Sequence, residues 1–277
     1  MQACHDQTHT ICNATSYPVI RKRGTCPQGS TTPLGVLLLH GFTSHPTCVS
    51  DLLPFLEASH IDYEMPCLRG HGGVPEDLIG VTSAMWYEDA LEALHKLEKR
   101  VDRIIVVGLS MGGVVTLQLS LDAACSKIVG CVTWAAALDF KHPLSPLVKP
   151  LSHIFKMWPG QESFNDKACK KKCRNYPKFP TKAFVSLYDY AKSMRPRLHE
   201  IKVPLCVIHS RRDQVIPYAI SEHLFETVSS PYCELVTLER SGHELGQDCE
   251  AQTVFEQTMR FIHYFYLQAS DTSSSEA

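Results

Sequence analysis

The sequence predicts an α/β protein, a doubly wound and mostly parallel sheet with a small cap or lid inserted into it. Three observations carry this. Short apolar runs without strict alternation recur along the chain, segments of helical period separate them, and one long stretch rich in proline and lysine breaks the pattern. Runs of that kind suit parallel strands, because alternation is lost when neither face of a strand meets water. Strand alternating with helix then implies right-handed crossovers.

The strand candidates are residues 35–39, 103–107, 127–134, 204–209 and 233–238, each ending near Gly, His, Ser or Asp. Between them, residues 84–100 place Met85, Tyr87, Leu91, Leu94 and Leu97 near one helical stripe, with Thr82 or Ser83 available as a cap. Pro217 opens a second helix through residue 228, as proline at a first helical position does. Residues 251–268 form a third, with Asp248 and Glu250 near its positive end. Alternation stops over residues 139–202, which hold the Lys170-Lys171-Lys172 run and no clear buried strand. Long interruptions of this kind are commonly functional lids. The expected organisation is an N-terminal extension at 1–33, a core made of 34–138 and 203–268, a cap at 139–202, and a flexible polar tail at 269–277.

Composition narrows the function classes. With 277 residues, 44% hydrophobic and 20% charged, the chain is globular rather than disordered or coiled-coil. A formal charge of −2 gives no reason to expect a nucleic-acid partner. No apolar run approaches the roughly 20 residues of a membrane span, so no stable membrane insertion is expected. The first thirty residues lack the apolar core of a secretory signal, and the expectation is a cytoplasmic protein. Its twelve cysteines show no CxxC pair and no ligand-like spacing, which disfavours a metal site and leaves disulfide pairing open. The near-neutral total conceals an asymmetry. Between Lys141 and Lys202, fourteen Lys/Arg face four Asp/Glu, a net of +10 against −12 elsewhere. That segment either attracts an anionic lipid surface or acidic substrate, or is a solvated face.

The chemistry is concentrated at a few turns. Gly108-Leu109-Ser110-Met111-Gly112 fits G-x-S-x-G between an apolar run and a helix-like segment. A serine at a sharp strand-to-helix turn needs strained backbone angles, and flanking glycines let neighbouring chain pass close by. A serine hydroxyl is a poor nucleophile until a base takes its proton, so an acid and a histidine must follow at the ends of later strands. Asp213 lies 103 residues on and His243 a further 30 on, each just after a strand candidate. Asp139 is the rival acid, and the plain alternatives are a capping aspartate and a loop histidine. The oxyanion of acyl transfer also needs donors. The N–H of Met111, directly after the serine, supplies one, and Phe42 in the loop His40-Gly41-Phe42 supplies the other. Gly41 removes a side chain from that approach, and His40 holds the loop by hydrogen bonds. Arg69 and His71 in RGHGG either line the site or tie loops together.

Taken together, HGF at 40–42, RGHG at 69–72, GLSMGG at 108–113, RRDQVIP around Asp213 and SGH at 241–243 resemble the α/β-hydrolase superfamily. The resemblance points in particular to bacterial carboxylesterases and monoacylglycerol lipases, and spans about residues 34–267. It implies a serine esterase with a cap over the acyl pocket and no metal or organic cofactor, acting on a small-molecule ester. By motif position Ser110 is the nucleophile, His243 the base, Asp213 its orienter, and Phe42 and Met111 the oxyanion donors. Serine at the turn disfavours the aspartate-nucleophile relatives. Thioesterase, acyltransferase and peptidase chemistry share the apparatus, and a ligand sensor on the same scaffold is the alternative of another class. Leu138, Leu144, Leu147, Leu151, Phe155 and Trp158 are the expected apolar lining for short-to-medium acyl esters or monoacylglycerols. The extension and the basic segment lie outside the resemblance, and oligomeric state is not legible.

Overall fold

The computed structural model describes residues 19–22, 33–122 and 125–267. Most of the N-terminal extension and the tail from residue 269 lie outside the described residues. Among the described residues, nine strands follow in chain order. They are β1 (Val19–Lys22), β2 (Leu34–Leu39), β3 (Asp62–Glu64), β4 (Arg103–Leu109), β5 (Ile128–Trp134), β6 (Met157–Pro159), β7 (Lys178–Pro180), β8 (Leu205–Ser210) and β9 (Cys233–Leu238). The α-helices are α1 (Thr47–Ser50), α2 (Leu53–Ala58), α3 (Ser83–Glu98), α4 (Met111–Leu119), α5 (Val148–Leu151), α6 (Thr181–Met194), α7 (Ala219–Thr227) and α8 (Ala251–Leu267).

Seven strands form one sheet in the order β1-β9-β8-β5-β4-β2-β3, parallel except for β1, which runs antiparallel to β9. Nearly every residue of β2, β4, β5, β8 and β9 is buried, which is why these strands read as continuous apolar runs. Alternate positions feed two cores. Val36, Leu38, Val107, Trp134 and Ile208 pack with α1, α2 and α8, whereas Leu37, Leu39, Val106 and Val207 pack with α3, α4, α6 and α7. The chain leaves β2 toward β3 on one side and returns to β4 on the other. Strand order therefore reverses between β2 and β4, and ligands of open α/β sheets bind outside the carboxyl ends of strands at such a reversal. His40-Gly41-Phe42 follows β2 there, and Ser110 follows β4.

Three local expectations are corrected. On α3 the fully buried positions are Trp86, Ala90, Leu94 and Leu97, with Met85, Tyr87 and Leu91 only partly covered. Small Ala90 and Ala93 permit close approach to the core, a packing role that side-chain hydrophobicity understates. Thr82 occupies the cap position of α3 without a side-chain cap bond, and the Ser83 N–H donates instead to Ser186 Oγ at 2.8 Å. The 139–202 stretch does contain strand, because β6 and β7, three residues each and joined by a long connection, pair antiparallel. Strands that short carry no readable period. Among the described residues no helix is long and apolar enough to cross a membrane.

Glycine fixes how closely α4 and β2 approach. A Cβ on Gly112 would lie 2.4 Å from the Leu39 carbonyl oxygen and 2.7 Å from that of His40, where backbone cannot yield. Gly112→Ala is expected to cost about 3 kcal/mol of stability in urea unfolding, the upper part of the overpacking range. A change below about 0.5 kcal/mol would show that the contact is not tight.

Candidate active site

Ser110 sits between the end of β4 and the start of α4 with φ 55° and ψ −113°, a left-handed conformation that costs an L-residue on the order of 1–3 kcal/mol. The turn is strapped from the neighbouring strand. Its N–H donates to the Trp134 carbonyl at 2.8 Å, and its own carbonyl accepts the Ala137 N–H at 3.0 Å. Gly108 is needed for the same crossing, since a Cβ there would meet Gly112 O at 2.3 Å and Thr116 Oγ1 at 2.4 Å.

Tertiary structure brings Ser110, His243 and Asp213 into one hydrogen-bonded line. His243 Nε2 lies 2.8 Å from Ser110 Oγ, and His243 Nδ1 lies 2.7 Å from Asp213 Oδ2. A carboxylate can only accept, so Nδ1 carries the proton and Nε2 is left to receive the serine hydroxyl's. Asp213 Oδ1 accepts the N–H groups of Val215 at 2.7 Å and Ile216 at 2.8 Å. Asp213 is 1% exposed, His243 5% and Ser110 7%, so the line is shielded from water almost throughout. Burial opposes ionisation of Asp213, but the charge of His243 and the hydrogen bonds from His209 and His243 outweigh it and hold the carboxyl far below its ordinary range. For His243, burial works downward and the facing Asp213 charge more than offsets it, raising the imidazole above its ordinary value. Asp139, the rival acid, is engaged elsewhere, by the Arg195 guanidinium and the Phe140 N–H.

The loop after β2 lies against the serine. A Cβ on Gly41 would come within 3.4 Å of Ser110 Cβ. Met111 opens α4, so its N–H has no partner within the helix. His40 and His71 are bonded to loop backbone. His40 Nε2 accepts the Leu68 N–H at 3.0 Å while Nδ1 donates to Gly41 O, and His71 Nε2 accepts the Thr43 N–H at 3.1 Å. Burial pushes them down to about 3 and about 4 respectively, so both rings stay neutral. Arg69 points away to Glu88 and Asp89, at 2.7 Å each.

A cavity of about 510 Å³ reaches Ser110 and His243. One part of its wall is aromatic, with Phe42 against Phe179 at 5.1 Å, Phe179 against Phe184 at 5.8 Å and Phe140 against Phe184 at 5.0 Å between ring centroids. Another part is polar. Glu244 Oε1 accepts from Asn175 Nδ2 at 2.5 Å, Ser44 Oγ donates to Asn175 Oδ1 at 2.8 Å, and Glu162 pairs with Lys170 at 2.6 Å. Glu244 is buried, and loss of hydration raises its carboxyl above the ordinary range. The apolar lining expected from the sequence is largely wrong. Leu144, Leu147 and Phe155 are exposed and Leu138 is core, and of the six only Trp158 faces the cavity. The aromatic wall comes instead from residues that the sequence shows only as scattered Phe.

The family model Hydrolase_4, described as serine aminopeptidase S33, matches residues 33–250. The chain belongs to this family of α/β-hydrolases. A thermostable monoacylglycerol lipase of Bacillus sp. (strain H-257) is 29% identical over 89% of this chain and 96% of its own. A carboxylesterase of Bacillus subtilis (strain 168) is 26% identical over 82% and 91%. A solved structure from work on the metagenome-derived lipolytic enzymes LipS and LipT superposes with a TM-score of 0.78 at 26% identity, covering 90% of this chain and 98% of that one.

This hydrolase also uses residues that sequence reasoning missed. Asp248 and Glu250, read as charges at a helix end, are buried anchors of the His243 loop. Asp248 accepts N–H groups from Gly242 at 2.6 Å, Asn165 at 2.8 Å and Asp166 at 3.1 Å, while Glu250 accepts those of Arg240 at 2.8 Å and Ser241 at 2.7 Å. The signal was present as two acids within seven residues of His243, but nothing in the sequence tells a helix-end charge from a loop anchor. Asp248→Ala is expected to lose about 3 kcal/mol in chemical unfolding, because several buried donors are left without an acceptor, and Asp248→Asn less. Equal stability of Asp248→Ala and wild type would show that water replaces the carboxylate.

Proposed function

We propose that this α/β-hydrolase cleaves carboxylic esters through an acyl-enzyme on Ser110, with a short-to-medium acyl chain joined to a polar alcohol, as in monoacylglycerols. The observation that carries the reading is the buried line Ser110–His243–Asp213 at a cavity with both an aromatic and a polar wall. The names of the Bacillus relatives agree with it. In this mechanism the Ser110 hydroxyl proton passes to His243 Nε2 as Oγ bonds to the ester carbon. The N–H groups of Met111 and Phe42 hold the resulting oxyanion. Collapse breaks the bond to the alkoxy oxygen, which takes the proton from His243 and departs as alcohol. Water then adds to the acyl carbon, gives its proton to His243, and releases the acid as Ser110 regains its hydrogen.

The segment from 139 to 202 acts as the cap in this reading. It contributes Phe140, Phe179 and Phe184 for an acyl chain and Glu162 and Asn175 near the alcohol side. Some of its cations lie on exposed surface ion pairs, with Lys149 facing Asp189 at 3.6 Å, Lys178 facing Glu76 at 3.8 Å and Arg197 facing Glu200 at 2.9 Å.

Release of p-nitrophenol from esters of graded acyl length, comparing wild type with Ser110→Ala, tests the function. A loss of kcat of about 10⁴-fold or more is expected. Equal rates would overturn the serine mechanism, and slow turnover with tight product retention would favour a ligand sensor. His243 must be neutral to accept a proton, and the Asp213 charge raises its pKa, so activity is lost as pH falls through that raised value. The acidic limb of kcat/KM is therefore expected above 6.5, the ordinary imidazole value. A limb below it would mean that desolvation of His243 outweighs Asp213.

A further inference from the structure

The carboxylate that orients His243 has a second imidazole on the same oxygen. His209 Nε2 lies 2.9 Å from Asp213 Oδ2, the atom that His243 Nδ1 reaches at 2.7 Å. His209 sits in β8 with no exposed surface, in the alternating register of Leu205 and Val207, where the sheet otherwise places apolar side chains. An imidazole there costs several kcal/mol unless its nitrogens are partnered. Both are, since Nδ1 lies 2.7 Å from Ser221 Oγ on α7, a buried residue. The carboxylate offers only lone pairs, so Nε2 carries the proton and donates it. Oδ1 is filled by the N–H groups of Val215 and Ile216, which leaves Oδ2 as the one oxygen shared between the two rings.

We propose that His209 is a positioning residue of the proton path: it fixes the Asp213 carboxylate and draws electron density from Oδ2, setting how strongly Asp213 holds the protonated His243. The inference rests on the serine-hydrolase reading for its kinetic consequence but not for the hydrogen-bond geometry. Withdrawing the His209 donor concentrates charge on Oδ2 toward His243, strengthening its hold on a proton and making it slower to return that proton to the leaving alcohol. The charged and titratable groups packed around the pair are His243 and Glu244 of the loop after β9, Tyr218 at the start of α7 with its ring 5.6 Å from His209, Arg211 stacked 4.4 Å from the Tyr218 ring, and Lys141, which donates to the Asp213 carbonyl. None of them changes in the variants below.

The test compares His209→Phe, which keeps a ring without a donor, His209→Gln, which returns an N–H, and Ser221→Ala, which keeps His209 and removes its tether. Two readouts serve: the pH profile of kcat/KM on a p-nitrophenyl ester, and the low-field proton resonance of the His243 Nδ1–H, which needs no turnover. His209→Phe is expected to move the acidic limb to higher pH, shift the resonance, and lower kcat roughly tenfold with KM unchanged, about the worth of one charge-assisted hydrogen bond. His209→Gln is expected to bring the limb back toward wild type, and Ser221→Ala to give a smaller shift of the same sign. A folded His209→Phe with an unmoved limb and resonance overturns the proposal, even if its rate is uniformly lower. Should His209→Phe fail to fold, an unmoved limb and resonance in Ser221→Ala overturn it instead. Ser110→Ala separates the two readings: if it retains activity the esterase mechanism falls, while the resonance still decides the role of His209.

Discussion

The active arrangement depends on one strained turn. Ser110 is held at positive φ because β4 ends beneath α4 and the chain must reverse within a single residue. The compensation is spread over three strands. β5 and the chain just after it supply the bonds from Trp134 and Ala137, β4 supplies the contact of Gly108 with α4, and β2 supplies the backbone against which Gly112 presses. Removing side chains at these crossings is what allows the helix to start directly after the strand, so the helix N-terminus and the serine occupy the same place. The sheet and its glycines thus fix the serine relative to the loop after β2 independently of His243 and Asp213.

His243 depends on a different kind of support. It lies in a loop, where backbone N–H groups have no ladder to join, and buried carboxylates take that part. Asp248 and Glu250 accept the loop's donors, and Ser163 O accepts the N–H groups of His243 at 2.7 Å and Glu244 at 3.2 Å. The acid is likewise over-determined, with four donors on two oxygens. In the proposed mechanism, an imidazole placed this firmly loses little by reorganising when charge develops on it.

Much of this was legible in the sequence, for reasons that differ by element. β4, β5, β8 and β9 could be read because strands buried on both faces are apolar throughout, and Ser110, Asp213 and His243 because each follows such a strand. β3 was hidden by its three residues, and β1 by lying in a segment without apolar pattern. His209 was invisible for the opposite reason, since it lies inside an apolar run and its partner appears only when α7 and the His243 loop close around it. The cavity wall failed furthest. Phe140, Phe179 and Phe184 line the cavity that reaches Ser110 because the chain after β5 comes together there with β7 and α6, whereas Leu144, Leu147 and Phe155 share their hydrophobicity but end on the surface. Hydrophobicity states that a side chain favours cover, and only the tertiary path states which cover it finds.

The bond from the His243 N–H to Ser163 O has a consequence for how such enzymes diversify. The segment that walls the cavity also holds the backbone of His243, the base of the proposed mechanism, and Tyr176 binds it again to the loop after β2 through Thr43 O at 2.9 Å. Exchanging that segment for one from a relative would change more than the shape of the pocket, since the replacement must offer a carbonyl at the position of Ser163 or the histidine loop loses a tether. In the proposed mechanism, pocket and proton path are therefore coupled through backbone, and a side chain such as Phe184, which lines the cavity, offers a change of shape that leaves the tether to His243 in place.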